Sequence, residues 1–395
     1  MNHLRANVDL LKSYVDLAAN VAENKATLPI IGYVLIESKN NTLRLTSTDL
    51  ETTYMGALNV SSINQGNDWE LCLPSKNLKK IVDTLKKQKH ETVEIKPSFT
   101  DKNHPTVMIG KYKIIGLSRG DYPTFKFDFT NCVFYKAPLD AINFCKPAIS
   151  LDETRYYLTG IALAENSLVA TDGHRLHMVK TNKENYGDGK NDKNNNALLP
   201  KKSIDILTSR LFSKHYQGET LVVNWGTETR KRYTAKFPLG EMGELIIRCI
   251  EGEFPDFTQV IPQKNNQSII AEKFELQTIV NEAKVVLNGK KAVDYKGMKI
   301  TATDDGVQFE AASDPEKGLE YKNHYNENNA IFKGKKLTIG LSVHLLADTL
   351  DSLTVAQKDT PLALTFADAL SPCRMDYTDN VSSLEFTSVI MPMIV

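Results

Sequence analysis

The chain has 395 residues, of which 41% are hydrophobic and 24% are charged, and its 48 basic and 48 acidic residues give a formal net charge of zero. This length predicts two or three domains, and the neutral charge argues against a uniformly basic nucleic-acid-binding protein. No apolar run reaches the roughly eighteen residues of a membrane-spanning helix, so no membrane segment is expected. Five widely spaced cysteines without a CxxC pair favour core packing in a reducing cytoplasm.

Two amphipathic helices separated by strand-like sequence are predicted in the first third of the chain. The first, residues 8–21, has apolar residues at helical spacing: Leu11, Tyr14, Val15 and Ala18. The second, SKNLKKIVDTLKK, begins with Ser75 as its candidate N-cap and has an apolar face of four residues: Leu78, Ile81, Val82 and Leu85. Segments such as TLRLTST and TVEIK predict strands around this helix, and the unit ends at GDYPTF.

The same order of elements recurs in the middle and last thirds. In the middle third, ALLPKKSIDILTSRL parallels ELCLPSKNLKKIVDTL, and GEFPDF repeats GDYPTF. This parallel predicts a helix over residues 201–215 with a buried face of Ile204, Leu207 and Leu211. In the last third, the two predicted helices have apolar faces of Leu276, Ile279, Val280 and Ala283, and of Leu346, Thr349, Leu350 and Leu353. Repeated sequence predicts repeated structure.

Each repeat spans roughly 130 residues and contains two predicted helices and six to eight predicted strands. This period is too long for a solenoid. It predicts an α+β protein of three tandem domains, residues 1–131, 132–264 and 265–395, with helices packed on antiparallel sheets. The polar segment 182–196, rich in Asn, Gly and Lys, predicts an exposed loop. Its DGKND sequence lacks the ligand spacing of a calcium-binding loop.

Positive charge is concentrated on the predicted helices. Together the six helices carry a net charge of +6, so the strands and loops carry −6. Residues 75–90 alone contain six lysines and one aspartate. Helices on one side of the sheets would form a basic face suited to a phosphate backbone, with no reading of bases. For any single helix, a solvated polar face is the simpler explanation.

One short segment, TDGHRLH at residues 171–177, suggests catalysis. Asp172, His174 and His177 could serve as metal ligands or as an acid–base set. In a strand, however, the two histidines would point to opposite faces, and Asp-Gly favours a tight turn. Neither a P-loop nor a GxSxG motif is present. We therefore favour a binding or structural turn, and a metal-dependent nucleic-acid enzyme stays the alternative.

Motifs from all three repeats resemble the bacterial sliding clamp family, the beta subunit of DNA polymerase III. They are TLPIIGYVLIE, LRLTSTDLE, RYYLTG, LVATDGHRL, EGEFPDFTQVIP, YTDNVSSLEF and the terminal VIMPM. The resemblance implies a three-domain DNA-clamp fold and a head-to-tail homodimeric ring around duplex DNA, with no catalytic activity, cofactor or metal. It also implies as partners the replicative polymerase, the clamp loader and other proteins that carry a clamp-binding peptide.

The resemblance further implies a peptide-binding cleft between the second and third domains. Its residues on the second domain would be Leu158, Thr171, Gly173, His174, Arg175, Leu176, Pro255, Gln259 and Val260. Its residues on the third domain would be Tyr295, Ser342, Val381, Ser383, Val389, Ile390, Met391, Pro392 and Met393. The sequence departs from the family at Gln259, where a basic residue is often found. It departs also at Ser342 and Leu345, where Asn and Tyr are common, and at the terminal Ile394-Val395.

Two further sets follow from the resemblance. The DNA-contacting set comprises Lys25, Tyr156, Tyr157, Lys201 and Lys202, while Arg155 could instead be structural. The dimer-interface set comprises Lys76, Ile114, Val286 and Leu287. A scaffold that kept the clamp fold without binding DNA is a further alternative.

Overall fold

The structure is a computed structural model that describes residues 3–22, 28–64, 66–101, 104–120, 122–123, 129, 132–164, 166–181, 197–224, 232–287, 297–312, 320–326 and 329–394. These residues form two compact units. The first unit draws on residues 3–136 and 202–249, and the second on residues 137–181, 197–201 and 250–394. The loop predicted at 182–196 lies outside the described residues. Among the described helices, none is long and apolar enough to cross a membrane.

The first repeat contains two helices and nine strands in its described part. They are β1 (Leu4–Asn7), α1 (Val8–Val21), β2 (Tyr33–Lys39), β3 (Thr42–Thr48), β4 (Thr52–Asn59), β5 (Ser61–Ser62), β6 (Trp69–Pro74), α2 (Ser75–Lys87), β7 (Thr92–Ser98), β8 (Thr106–Ile109) and β9 (Tyr112–Ile115). Both predicted helices are confirmed, and their apolar faces are buried except for the half-buried Ile81. The prediction that Ser75 caps α2 was wrong: Pro74 holds the cap position, and Ser75 is the buried first residue of the helix.

The second repeat has the same order of elements. They are β10 (Val133–Lys136), α3 (Leu139–Cys145), β11 (Gly160–Ala164), β12 (Ser167–Thr171), β13 (Arg175–Lys180), β14 (Ala197–Pro200), α4 (Lys201–Thr208), α5 (Arg210–Ser213), β15 (Glu219–Asn224), β16 (Tyr233–Pro238) and β17 (Glu244–Arg248). The single helix predicted over 201–215 is interrupted at Ser209, whose backbone is extended. The break shifts the helical phase, so Phe212 is buried in place of the predicted Leu211.

The third repeat completes the pattern. Its elements are β18 (Gln267–Glu272), α6 (Lys273–Val286), β19 (Gly297–Thr303), β20 (Gly306–Ala312), β21 (Glu320–Tyr325), β22 (Ala330–Lys333), β23 (Leu337–Ser342), α7 (Val343–Ser352), β24 (Pro361–Phe366), β25 (Cys373–Thr378) and β26 (Glu385–Ile390). The predicted apolar faces of both helices are buried. The threefold repeat is therefore confirmed in the order of elements, with β5 and β22 as additions.

Antiparallel sheets run from one repeat into the next. In the first unit, one sheet has the order β10-β15-β16-β17-β4-β3-β2-β6, and another has the order β5-β1-β7-β8-β9. In the second unit, the orders are β14-β11-β12-β13-β26-β25-β24-β18-β22 and β21-β20-β19-β23. The pairs β4–β17 and β13–β26 join consecutive repeats. The α+β class is confirmed, and the second repeat contributes strands to both units because each of its ends continues a neighbour's sheet.

Candidate partner-binding site

A tight turn between β12 and β13 organises one side of the predicted site. The Asp172 carboxylate accepts hydrogen bonds from the backbone N–H groups of His174 at 2.9 Å and Arg175 at 3.0 Å. The Thr171 hydroxyl donates to the Arg175 carbonyl at 2.6 Å and accepts from the Gly173 N–H at 3.1 Å. Gly173 has a φ of +90°, a conformation that favours glycine. The predicted Asp-Gly turn is confirmed, with its side chains satisfied within the turn itself.

Arg175 connects this turn to two other elements of the second unit. Its buried guanidinium group donates to the Asp172 carboxylate at 3.1 Å, to the Asp348 carboxylate of α7 at 2.8 Å and to the Pro147 carbonyl. The Arg155 guanidinium group contacts the outside of the turn, donating to the Asp172 carbonyl at 3.3 Å and to the Asp152 carboxylate at 2.9 Å. Both arginines are therefore held by groups of the chain itself.

His177 lies in β13 and is completely buried. Its Nδ1 is 2.6 Å from the Phe144 carbonyl oxygen, its Nε2 is 2.9 Å from the Thr349 hydroxyl, and the Phe144 ring stacks on the imidazole. Burial lowers the pKa of His177 to about 3, and the nearby Arg175 charge acts in the same direction. His177 is therefore a neutral core residue that ties β13 to α3 and α7.

These positions remove the basis for the metal-enzyme alternative. His174 is exposed in the turn, whereas both His177 ring nitrogens have partners inside the core. The Asp172 carboxylate is occupied by backbone N–H groups and Arg175. Within the described residues, no group of three or more His, Cys, Asp or Glu side chains could hold a metal ion.

An apolar cluster forms the floor of the site. It comprises Leu158, Ala162, Val169, Leu176, Met178, Leu198, Phe254, Ile261 and Val389, with Tyr157, Ile250 and Phe257 packed against it. Leu176 and Val389 are paired across β13 and β26. Three predicted site residues, Leu158, Leu176 and Val389, thus meet in one cluster. All three are buried, so they support the surface of the site and form little of it themselves.

The segment after GEF lies over this floor. Phe254 and Ile261 anchor its two ends in the cluster, while Pro255, Gln259 and the 51% exposed Val260 face solvent. The Gln259 amide donates to the Asp256 carboxylate at 3.0 Å. Because its anchors are buried, this segment presents its exposed side chains from a fixed backbone.

The segment after β26 crosses the same region. The Met391 N–H donates to the His174 carbonyl at 2.9 Å, and the Met393 N–H donates to the Gly340 carbonyl of β23 at 2.8 Å. Ile390 is buried, whereas Met391 is 42% exposed and Met393 is partly exposed. The methionines are therefore held beside the 171–175 turn by the backbone, which leaves part of their flexible side chains accessible.

Two predicted site residues lie at the wrong end of β26. Val381 and Ser383 occupy the β25–β26 turn, next to the Thr378–Glu385 pair, whereas Ile390 pairs with Cys373 and Arg175 at the opposite end. A six-residue strand separates them from Met391 by roughly 17 Å. The structure therefore places Val381 and Ser383 outside the site, at the end of β26 opposite Met391.

The turn that does lie at the Met391 end of β26 is the β24–β25 turn. There the Asp368 carboxylate accepts from the Leu370 N–H at 2.9 Å and the Ser371 hydroxyl at 2.7 Å, and Leu370 is 80% exposed. Sequence reasoning missed Leu370. An apolar residue in the turn sequence DALSP was the available signal.

Ser342 is not accessible for binding. It is completely buried, and its hydroxyl accepts from the Leu345 N–H as the N-cap of α7. Its inclusion in the site was therefore wrong, because a capping side chain is already occupied. Tyr295 lies outside the described residues.

Family models match almost the whole chain. They are the N-terminal, central and C-terminal domains of the DNA polymerase III beta subunit, at residues 3–126, 136–256 and 258–394. The chain belongs to the DNA polymerase III beta subunit family. The boundaries at 131 and 264 stay predictions, although the order of three domains agrees with the repeats.

Relatives and solved structures agree with this family assignment. The chain is 23% identical to a beta sliding clamp of Pseudomonas aeruginosa, with 99% of each chain covered, and 25% identical to one of Proteus mirabilis, with 93% of each covered. A sliding clamp structure from P. aeruginosa bound to griselimycin matches with a TM-score of 0.80 and 22% identity over the full length of both chains. A beta subunit from Thermotoga maritima matches with a TM-score of 0.76 and 18% identity, again over the full length of both. The DNA sliding clamp interpretation is thereby supported, and the metal-enzyme alternative is not.

The residues predicted to contact DNA differ in exposure and in the contacts that they make within the chain. Tyr156 is 53% exposed and lies edge-to-face with Tyr157 at 5.7 Å between ring centres. Lys201 begins α4, and Lys202 forms an ion pair of 2.7 Å with the buried carboxylate of Asp49. Lys202 is thus held in part by the chain itself. Lys25 lies outside the described residues.

The residues predicted at the dimer interface are split between surface and core. Lys76 is exposed on α2 and Val286 is partly exposed at the end of α6, whereas Ile114 and Leu287 are buried. Buried side chains cannot meet a second chain without rearrangement. Their exposed neighbours Ile115 and Val285 are the better candidates for such a contact.

Proposed function

We propose that two copies of this chain close head to tail into a ring around duplex DNA, and that the ring tethers replication proteins without catalysing a reaction. Membership of the DNA polymerase III beta subunit family is the observation that carries the clamp function. The dimer, its orientation and the partners rest on the structural arguments that follow.

The order of strands supports a head-to-tail ring. Each joint between repeats has the same form. The final strand of the later repeat pairs antiparallel with the third strand that follows the first helix of the earlier repeat. These pairs are β17 with β4, and β26 with β13. Continuing the pattern, β9 of the first repeat would pair with β21 of the third. Within one chain, β9 and β21 are edge strands of their sheets, and a second copy offers each its partner.

Strand numbers support the same pairing. The sheet that ends at β9 has five strands and the sheet that ends at β21 has four. Their union would have nine, as in the continuous sheet that contains the β13–β26 joint. Ile115 on β9 is 61% exposed, and an unpaired edge with an exposed apolar residue is a site for pairing with another chain.

A charged residue on the β9 edge should break the dimer. We expect Ile115→Asp to convert the protein from dimer to monomer in analytical ultracentrifugation, because a desolvated carboxylate at a β interface is strongly unfavourable. Ile331→Asp is the matched control, since Ile331 is 45% exposed on the edge strand β22, which the pattern leaves unpaired. Dissociation of both variants, or of neither, would contradict the β9–β21 pairing.

Charge on the helices supports sequence-independent DNA binding. The α1 carboxylates of Asp16 and Asp9 form ion pairs with Lys79 and Lys86 of α2. The other three lysines of α2 are exposed and form no ion pair with any described residue: Lys76, Lys80 and Lys87. The excess positive charge of α2 is therefore available to phosphate groups, which is the form of contact that permits sliding.

Retention on circular DNA tests the ring directly. A closed ring should stay on a nicked circular plasmid after loading and be lost when a restriction enzyme linearises the DNA, because only a free end lets a ring slide off. Gel filtration of labelled protein with each DNA form gives the measurement. Equal retention on both forms would refute the ring and favour the scaffold or ordinary DNA-binding alternatives. The Ile115→Asp variant should fail to be retained on either form.

The site on the second unit supports tethering by a short peptide. It combines an apolar floor, exposed methionine and leucine side chains, and backbone segments fixed by buried anchors. An apolar surface on a fixed backbone suits the apolar anchors of a short linear motif. The replicative polymerase, the clamp loader and other proteins that carry such a motif are the proposed partners.

A further inference from the structure

The surroundings of the proposed peptide site are acidic. The segment 251–256 contributes three exposed carboxylates, Glu251, Glu253 and Asp256. This segment adjoins Tyr157, which packs against the apolar floor, because a Cβ atom added at Gly252 would lie 3.6 Å from Tyr157. The acidic side chains are therefore beside the apolar floor.

The two arginines of the site are paired with carboxylates other than those of the 251–256 segment. Arg175 is buried against the Asp172 and Asp348 carboxylates, and Arg155 is paired with Asp152. The segments of the site are 150–158, 171–176, 250–262, 340–348, 369–373 and 389–394. Together they contain seven Asp and Glu residues and two Arg residues, a formal charge of −5, and Lys264 just beyond them leaves the sum negative.

Two carboxylates of the site, Asp256 and Asp152, are held in the ionised form by hydrogen bonds. Hydrogen bonds from Thr258 and Gln259 hold the pKa of Asp256 below its usual range, and hydrogen bonds from Thr154 and Arg155 do the same for Asp152. A ligand that lies over the apolar floor would therefore meet fixed negative charge along its flanks.

We propose that the peptides recognised at this site carry lysine or arginine beside their apolar anchors, and that acidic flanks are disfavoured. The proposal rests on the proposed tethering function and specifies the chemistry of the partner. Opposite charge around an apolar site steers association, and like charge rejects the wrong partner. Because the carboxylates of the 251–256 segment are exposed, their effect should weaken as salt screens it.

Selection from a library of displayed ten-residue peptides tests the proposal on the intact dimer. Enriched peptides should contain more Lys and Arg than the unselected library. The tightest peptide is then synthesised with its flanking cations kept, replaced by serine, or replaced by aspartate, and binding is followed by fluorescence anisotropy. At about 50 mM salt we expect the basic form to bind at least about tenfold more tightly than the acidic form, with a smaller ratio at about 300 mM.

Paired variants locate the effect. Glu251→Gln combined with Glu253→Gln should remove most of the difference between basic and acidic peptides. The control, Asp304→Asn combined with Asp305→Asn, alters two exposed acidic residues of the β19–β20 turn and should leave the difference unchanged. Equal binding of all three peptides, or preference for the acidic one, would overturn the charge preference and leave the tethering site standing. Failure to select any peptide would overturn both the charge preference and the tethering site. The ring would still be tested separately by retention on circular DNA.

Discussion

Replacing Arg175 with alanine is expected to lower the free energy of unfolding of the second unit by about 3 kcal/mol and to abolish peptide binding. Its guanidinium group is buried and satisfies Asp172, Asp348 and the Pro147 carbonyl, so its loss leaves buried groups unpaired. The half-exposed Asp348 can regain water, which limits the cost. Urea unfolding measures the stability. Hydrogen exchange of β13 and α7 should show where protection is lost.

Arg155 provides the matched control for this experiment. It contacts the same turn, but it is 40% exposed and, among the described residues, forms an ion pair with Asp152 alone. Arg155→Ala should therefore cost less than about 1 kcal/mol. Arg175→Lys should be intermediate, because an ammonium group cannot reach three partners in the geometry of a guanidinium fork. Equal destabilisation by the two alanine variants would show that Arg175 does not organise the turn.

His177 should make the second unit sensitive to acid. Its pKa is lowered to about 3 in the folded chain, chiefly by burial, below the usual value near 6.5. The folded chain then binds fewer protons than the unfolded chain between these values. Stability from the neutral imidazole is complete above about pH 6.5 and declines as the pH falls toward 3. Between pH 7 and pH 5 the loss should be about 2 kcal/mol.

A variant separates this effect from the protonation of carboxylates. His177→Gln keeps a donor for the Phe144 carbonyl and an acceptor for the Thr349 hydroxyl but cannot titrate. Unfolding free energies of both proteins, measured in urea at pH 7, 6 and 5, give the comparison. The original chain should lose about 2 kcal/mol more than the variant across this range. Parallel curves would mean that folding does not lower the pKa of His177.

Local periodicity was sufficient to predict most helices. The four-residue faces of α1, α6 and α7 were buried as expected, since apolar spacing in a helix decides which side faces a sheet. The break at Ser209 was not predictable from spacing, because SIDILTSRLF has no proline or glycine and only the extended backbone of Ser209 ends the helix. Burial of Phe212 then replaces that of Leu211.

Sequence similarity located the 171–175 turn and the terminal segment of the site, but it did not locate the β24–β25 turn. TDGHR and VIMPM lie together as expected, joined by the bond from Met391 to His174. Val381 and Ser383 were misplaced because strand register decides which end of β26 a turn occupies, and that register comes from pairing with Cys373–Thr378 and Arg175–Lys180. Short motifs carry no information on register, so Leu370 was missed.

The pairing of β13 with β26 also has a consequence for synthesis on the ribosome. Residues 175–180 are made long before residues 385–390, their partners in the sheet. At roughly 5–20 residues per second, the interval is on the order of 10–40 s. During that time β13, with its buried apolar residues, has an open edge in the nascent chain. Premature termination anywhere in the third repeat would leave that edge permanently open, so incomplete products should be targets for chaperones and proteases.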